Sequence, residues 1–194
     1  ELCLLLEPRG NWSPKPSQAG AIHRYMAWTY NALGKRERAR ENNEKALQLY
    51  TQSGDREGQE EILAALGWSY SAQGQMTQAI ACYEQARVIC KEIDDRVGEG
   101  HVLNGLGRVY EVQGQREQAL EYFEQALAIC NEAGNPPLEG RTLSNLGHIH
   151  TDLGNYTQAL GYLERSLVIR KNLGDRRGEG VAIENLGRVY NELG

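Results

Sequence analysis

The sequence has no apolar run approaching the roughly 20 residues that cross a bilayer, no excess of basic charge and no CxxC pair, and each absence removes a class of function. Lys and Arg number 21 against 26 Asp and Glu, a net charge of -5. No basic field is available to displace counterions from a phosphate backbone, so nucleic acid is not an expected partner, and neither is a membrane. The opening ELCLLLEPRG is apolar over a few residues, but it lacks a basic flank and an initiator Met and soon meets Pro8. It is not read as a signal peptide. Four cysteines, Cys3, Cys82, Cys90 and Cys130, follow no ligand spacing; reduced packing thiols of a cytoplasmic protein are expected, with no metal or disulfide role. Catalytic signatures are missing too: the four histidines are His23, His101, His148 and His150, and HExxH, GxSxG and a P-loop are absent. Neither an enzyme nor a cofactor is expected.

What the chain has in quantity is glycine, 22 residues, and it recurs at a fixed step. A Leu-Gly-x-x-Tyr pattern stands at Leu66 to Tyr70, Leu106 to Tyr110, Leu146 to His150 and Leu186 to Tyr190, each copy 40 residues after the last. A fainter copy runs from Met26 to Tyr30. The same step relates Gly34, Gly74, Gly114, Gly154 and Gly194; Ala39, Ala79, Ala119 and Ala159; Ala46, Ala86, Ala126 and Ser166; and Asp55, Asp95, Asn135 and Asp175. Recurrence at fixed spacing is architecture before it is chemistry.

Inside one unit, Leu63, Leu66, Gly67 and Tyr70 fall at i, i+3, i+4 and i+7, and Ala79, Tyr83, Ala86, Cys90 and Ile93 continue the rhythm, so both halves are helical. The Asp55 row supplies N-caps, Pro136 suits a first helical position, and the Gly74 row breaks the chain between two helices of roughly five turns. The GDRRGEG stretch from Gly174 to Gly180 is therefore punctuation between hairpins, since no apolar strand precedes it as a phosphate loop requires. Gly67, Gly107, Gly147 and Gly187 sit inside helices at a cost of about 1 kcal/mol each relative to Ala. A close approach by the second helix, through its small Ala79 and Ala86 row, is the expected reason. His150 occupies the Tyr row and is expected to pack as Tyr70 does.

These residues resemble the tetratricopeptide repeat: Leu103, Leu106, Gly107, Tyr110, Gly114, Ala119, Phe123 and Ala126 show the pattern best. The 40-residue unit with GDRxGE junctions looks like the subclass in Pins-type (Leu-Gly-Asn repeat) adaptors and kinesin light chains. The residue after Leu-Gly is Trp68, Arg108, His148 or Arg188, never Asn, which departs from the Pins-type pattern. The resemblance implies an all-α fold, an α-α superhelix: a right-handed solenoid of antiparallel helical hairpins. Residues 1–16 read as the end of a preceding repeat helix plus a Pro-rich loop. Residues 17–194 read as one solenoid with repeats at about 17–54, 55–94, 95–134, 135–174 and a half repeat at 175–194. A fragment of a longer protein, or ends covered by another chain, is the expectation, and self-association through uncapped ends stays open.

The resemblance further implies a groove lined by first-helix residues that binds an extended or helical peptide. By register, the lining is Arg24, Tyr25 and Trp28; Ala64, Ala65 and Trp68; His101, Asn104 and Arg108; Arg141, Asn145 and His148; and Asn185 and Arg188. The lining runs from aromatic to cationic, which suits an acidic extended segment with an apolar end on Trp28 and Trp68. Arg108, His148 and Arg188 would meet about every third residue of such a segment, given helix layers about 10 Å apart. Asn104, Asn145 and Asn185 would pair with its backbone. In the plainer reading the tryptophans pack on neighbouring helices, and Glu61, Glu111, Asp152, Glu184 and Glu192 neutralise the arginines. The carboxylate clamp for chaperone tails does not fit the residues here. The expected function is protein–protein interaction through the groove; the alternative is a regulatory or sensor array of a larger bacterial signalling protein with a separate effector domain.

Overall fold

A computed structural model describes residues 14–194 of the chain, which form nine α-helices and no strand. Cys3, the opening apolar stretch and the first part of the Pro-rich loop lie outside the described residues. Contacts divide the chain into two compact units, residues 1–94 and 95–194, and the boundary falls at a repeat junction. The first unit holds α1 (Pro16–Ala32), α2 (Arg36–Ser53), α3 (Arg56–Ala72) and α4 (Met76–Glu92). The second holds α5 (Arg96–Val112), α6 (Arg116–Ala133), α7 (Pro136–Asp152), α8 (Tyr156–Leu173) and α9 (Arg176–Leu193).

Local chemistry sets these boundaries. Asp55, Asp95 and Asp175 each accept the backbone N–H three residues on, at 2.9, 2.8 and 2.9 Å, and Asn135 does the same for Leu138 at 3.0 Å. Such a cap satisfies one of the donors a helix start leaves unpaired, worth about 1 kcal/mol. Within each hairpin the turn closes by a six-to-one backbone bond, Gln75 N to Tyr70 O at 2.9 Å and Gln115 N to Tyr110 O at 2.9 Å. Gly74 and Gly114, both at φ 76°, adopt the left-handed geometry that this closure needs. GDRRGEG is punctuation, as expected: Gly174 caps α8 in the left-handed region and Asp175 starts α9. Between hairpins Asp94, at φ 57°, stands where the other junctions carry Gly54, Gly134 and Gly174.

Amphipathic faces then bury one another. In the first unit α1 pairs with α2 and α3 with α4, while α3 also lies against α2 and α1. Ala46, Tyr50, Ile62 and Leu66 form its core, with Leu47, Tyr70 and Cys82 packed against them. In the second unit α5 pairs with α6 and α7 with α8, α9 lies on α8, and the first helices α5, α7 and α9 touch in sequence. Phe123, Ala119, Leu146 and Ile149 are fully buried together there, and a fully buried Phe contributes about 1.5–3 kcal/mol.

Gly67, Gly107 and Gly147 do meet the second helix of their hairpin, as expected, but not through its alanine row. A Cβ on Gly107 would stand 2.6 Å from the Phe123 ring, and one on Gly67 would stand 2.9 Å from the Tyr83 ring. The aromatic row of the second helix, not its alanine row, forbids a side chain. Gly147 meets Leu163 in the same manner, whereas Gly187 faces open space. His150 does replace Tyr: it is buried and stacks on Tyr162 at 5.3 Å, as Tyr110 stacks on Tyr122 at 5.2 Å. Cys90 and Cys130 are buried and Cys82 half-buried, and all three are thiols rather than disulfides. Burial pushes the Cys82 and Cys130 thiols above their ordinary value.

Candidate peptide-binding face

In the first unit, α1 and α3 present an aromatic surface. Trp28 is 68% exposed and Trp68 53% exposed, so neither is packed away inside its unit. Tyr25 lies beside Trp28, ring centroids 6.0 Å apart and tilted. Ala64 and Ala65 are half-buried, and Arg24 of α1 pairs with Glu61 of α3.

In the second unit the corresponding helices are polar and tied together. Asn104 is buried, donating to Thr142 Oγ1 at 2.7 Å and to Gly100 O at 3.2 Å, while its own carbonyl accepts from Asn145 Nδ2 at 2.9 Å. The amide that would have met a ligand backbone is thus engaged between α5 and α7. His148 Nδ1 donates to Glu111 Oε1 at 2.5 Å, and Arg188 Nη2 donates to Asp152 Oδ1 at 3.1 Å. The hydrogen bond to Glu111 raises the His148 imidazole above its ordinary value. Arg141 donates to His101 Nδ1, and desolvation together with the Arg141 charge holds that ring below its usual value. Asn185 is half-buried on α9. Arg108 is exposed and forms no ion pair among the described residues.

Carboxylates of the preceding hairpin therefore neutralise two of the three cations in the Arg108 row, and one remains available. Sequence reasoning named Glu111 and Asp152 as neutralising partners but missed Thr142, the hub of the amide network. It also missed Ser166, whose Oγ donates to Gly140 O at 2.6 Å and lies 2.8 Å from Ser144 Oγ. The signal was present: Ser166 is the polar member of the Ala46, Ala86 and Ala126 row.

The tetratricopeptide repeat family description matches residues 18–87, 61–132 and 138–194. The chain belongs to the tetratricopeptide repeat family. No curated protein sequence matches it. Among solved structures, BtubC (BKLC) from P. vanneervenii is 24% identical, with a TM-score of 0.74 over 87% of this chain and 68% of that one. A putative kinesin light chain from Podosopora anserina with nearly identical TPR-like repeats is 21% identical, with a TM-score of 0.72 over 93% and 88%. A signal transduction ATPase with numerous domains from Pyrococcus horikoshii, which carries a tetratricopeptide repeat sensor, is 21% identical with a TM-score of 0.82; the match covers 97% of this chain and 29% of that protein. Identities this low establish the fold of this repeat protein, helical hairpins of the α-α solenoid type. Among the described residues no helix is long and apolar enough to cross a membrane.

Proposed function

We propose that this tetratricopeptide repeat protein binds an extended, acidic peptide segment of a protein partner through its first-helix faces. The observation that supports this reading is the state of Arg108. It is exposed and pairs with no carboxylate among the described residues, whereas His148 and Arg188, in the same row, each hold one from the preceding hairpin. A solvated guanidinium offers a carboxylate up to five donors without first breaking an internal pair. Trp28 and Trp68 supply apolar area of the kind that dominates binding energy in interfaces. His101, Arg141, Asn145 and Asn185 would add polar contacts, and His148 and Arg188 would contribute only after exchanging partners.

The test is a peptide array in which Asp or Glu recurs every third residue, with Gln-substituted copies as controls. Acidic peptides should bind, and Arg108→Glu should weaken them by at least about tenfold, in line with loss of one charge-assisted contact. Undiminished binding by Arg108→Glu would reject the reading. A second reading rests on the Pyrococcus horikoshii match: the repeats act as the sensor array of a larger signalling protein. Partner binding that alters the activity of an effector domain on the same polypeptide would favour it.

A further inference from the structure

Three side chains with metal-binding donors converge where α5 meets α7: one ligand atom each from Glu111, His148 and Asp152 lies within 4.8 Å of the others. His148 and Asp152 are four residues apart and so share one face of α7, a turn from each other. Glu111 arrives from the last turn of α5. The site is sheltered but not sealed, with side-chain exposures of 19% for Glu111, 34% for His148 and 25% for Asp152.

We infer that Glu111, His148 and Asp152 form a site for a divalent transition ion such as Zn2+, which would staple the α5–α6 hairpin to the α7–α8 hairpin. Two carboxylates balance the charge of the ion, and the imidazole favours a borderline metal over Ca2+ or Mg2+, which take oxygen ligands. Three protein ligands on a partly open surface leave a coordination position for water. Donors held at about 2.1 Å from a tetrahedral ion stand about 3.4 Å apart. The His148–Glu111 contact at 2.5 Å must open by under about 1 Å, and Asp152 must draw in, movements within the reach of side-chain rotation.

Arg188 is the competitor. Its guanidinium holds Asp152 at 3.1 Å, and at 47% exposure it can turn to water when an ion takes the carboxylate. Signals of the HExxH kind do not reveal such a site, because its ligands come from two repeats and are separated by 37 and 4 residues in the chain.

Calorimetric titration of the chelator-treated chain with Zn2+, and absorption spectra with Co2+, test the inference. One ion should bind per chain, and the Co2+ spectrum should lack a thiolate charge-transfer band, which sets the site apart from the cysteines. His148→Ala and Asp152→Asn should each weaken Zn2+ by at least about tenfold, with circular dichroism confirming that the variants are helical. Arg188→Ala should bind Zn2+ more tightly than the parent. Three results would overturn the inference: no Zn2+ bound up to about 1 mM, affinity unchanged in His148→Ala, or a cobalt spectrum with thiolate bands.

Discussion

The α1 and α3 face of the first unit and the α5, α7 and α9 face of the second are built on the same register positions and use them in opposite ways. Where the first unit carries exposed Trp28 and Trp68, the second carries Arg108, His148 and Arg188, two of them tied to carboxylates of the hairpin before. The register positions that Asn104, Thr142 and Asn145 fill between α5 and α7, linked by hydrogen bonds, are Arg24, Ile62 and Ala65 in the first unit. Interior rows are committed to folding in both units. Face positions are not, so one unit leaves an aromatic surface exposed while the other spends the same positions on fastening its hairpins together.

That contrast presumes a shared interior, and the largest expected effects test it. Gly67→Leu and Gly107→Leu should each destabilise the chain by on the order of 1–3 kcal/mol in urea unfolding, because Tyr83 and Phe123 leave no room for a side chain. Gly187→Leu, which faces open space, should not. Equal losses at all three positions would break the claim that ring contact sets the glycine row.

Asn104→Ala comes next. It leaves the buried Thr142 hydroxyl and the Asn145 amide short of a partner, at an expected cost of about 1–2 kcal/mol. A double-mutant cycle with Asn145→Ala should return a coupling of at least about 0.5 kcal/mol. Additive losses would mean that α5 and α7 are not fastened through these amides.

A smaller effect separates the units by pH. Arg24 and Glu61 of the first unit form an ion pair, while in the second unit the Glu61 register position is held by His101 and again by Arg141, which lie against each other. The His101 ring is held below its reference value of 6.5 in the folded chain. Its contribution to stability is therefore present above that value and lost as pH falls through the lower, folded one. Thermal midpoints at about pH 7.5 and about pH 5.5 should fall further in the parent than in His101→Gln. Identical slopes would remove His101 from the acid response.

Most of the fold was legible because the repeat writes the same physics several times. The Asp55 row had to cap, the Gly74 row had to turn, and Leu106, Phe123 and Ala126 had to face inward. The face was less legible, for a physical reason. Whether Asn104 meets a ligand or Thr142, and whether Arg188 meets a ligand or Asp152, depends on side-chain partners some 36 to 38 residues away that a periodic reading treats as equivalent. The glycine neighbour was misassigned on the same account: sequence spacing gives the facing helix, but only packing decides whether its small or its aromatic row makes the contact.

The smallest expected change in stability is the most informative about the aromatic face. Trp28→Ala removes a mostly exposed side chain that lies beside Tyr25 within its own helix. The lost contact is partly offset by the better helix propensity of Ala, so unfolding should shift by no more than about 0.5 kcal/mol. Binding of an acidic, apolar-ended peptide should nevertheless weaken, because exposed aromatic area that folding does not use is what a partner can bury. If Trp28→Ala instead costs stability on the scale of Gly107→Leu, the first unit spends its face on folding just as the second does, and the contrast between them disappears.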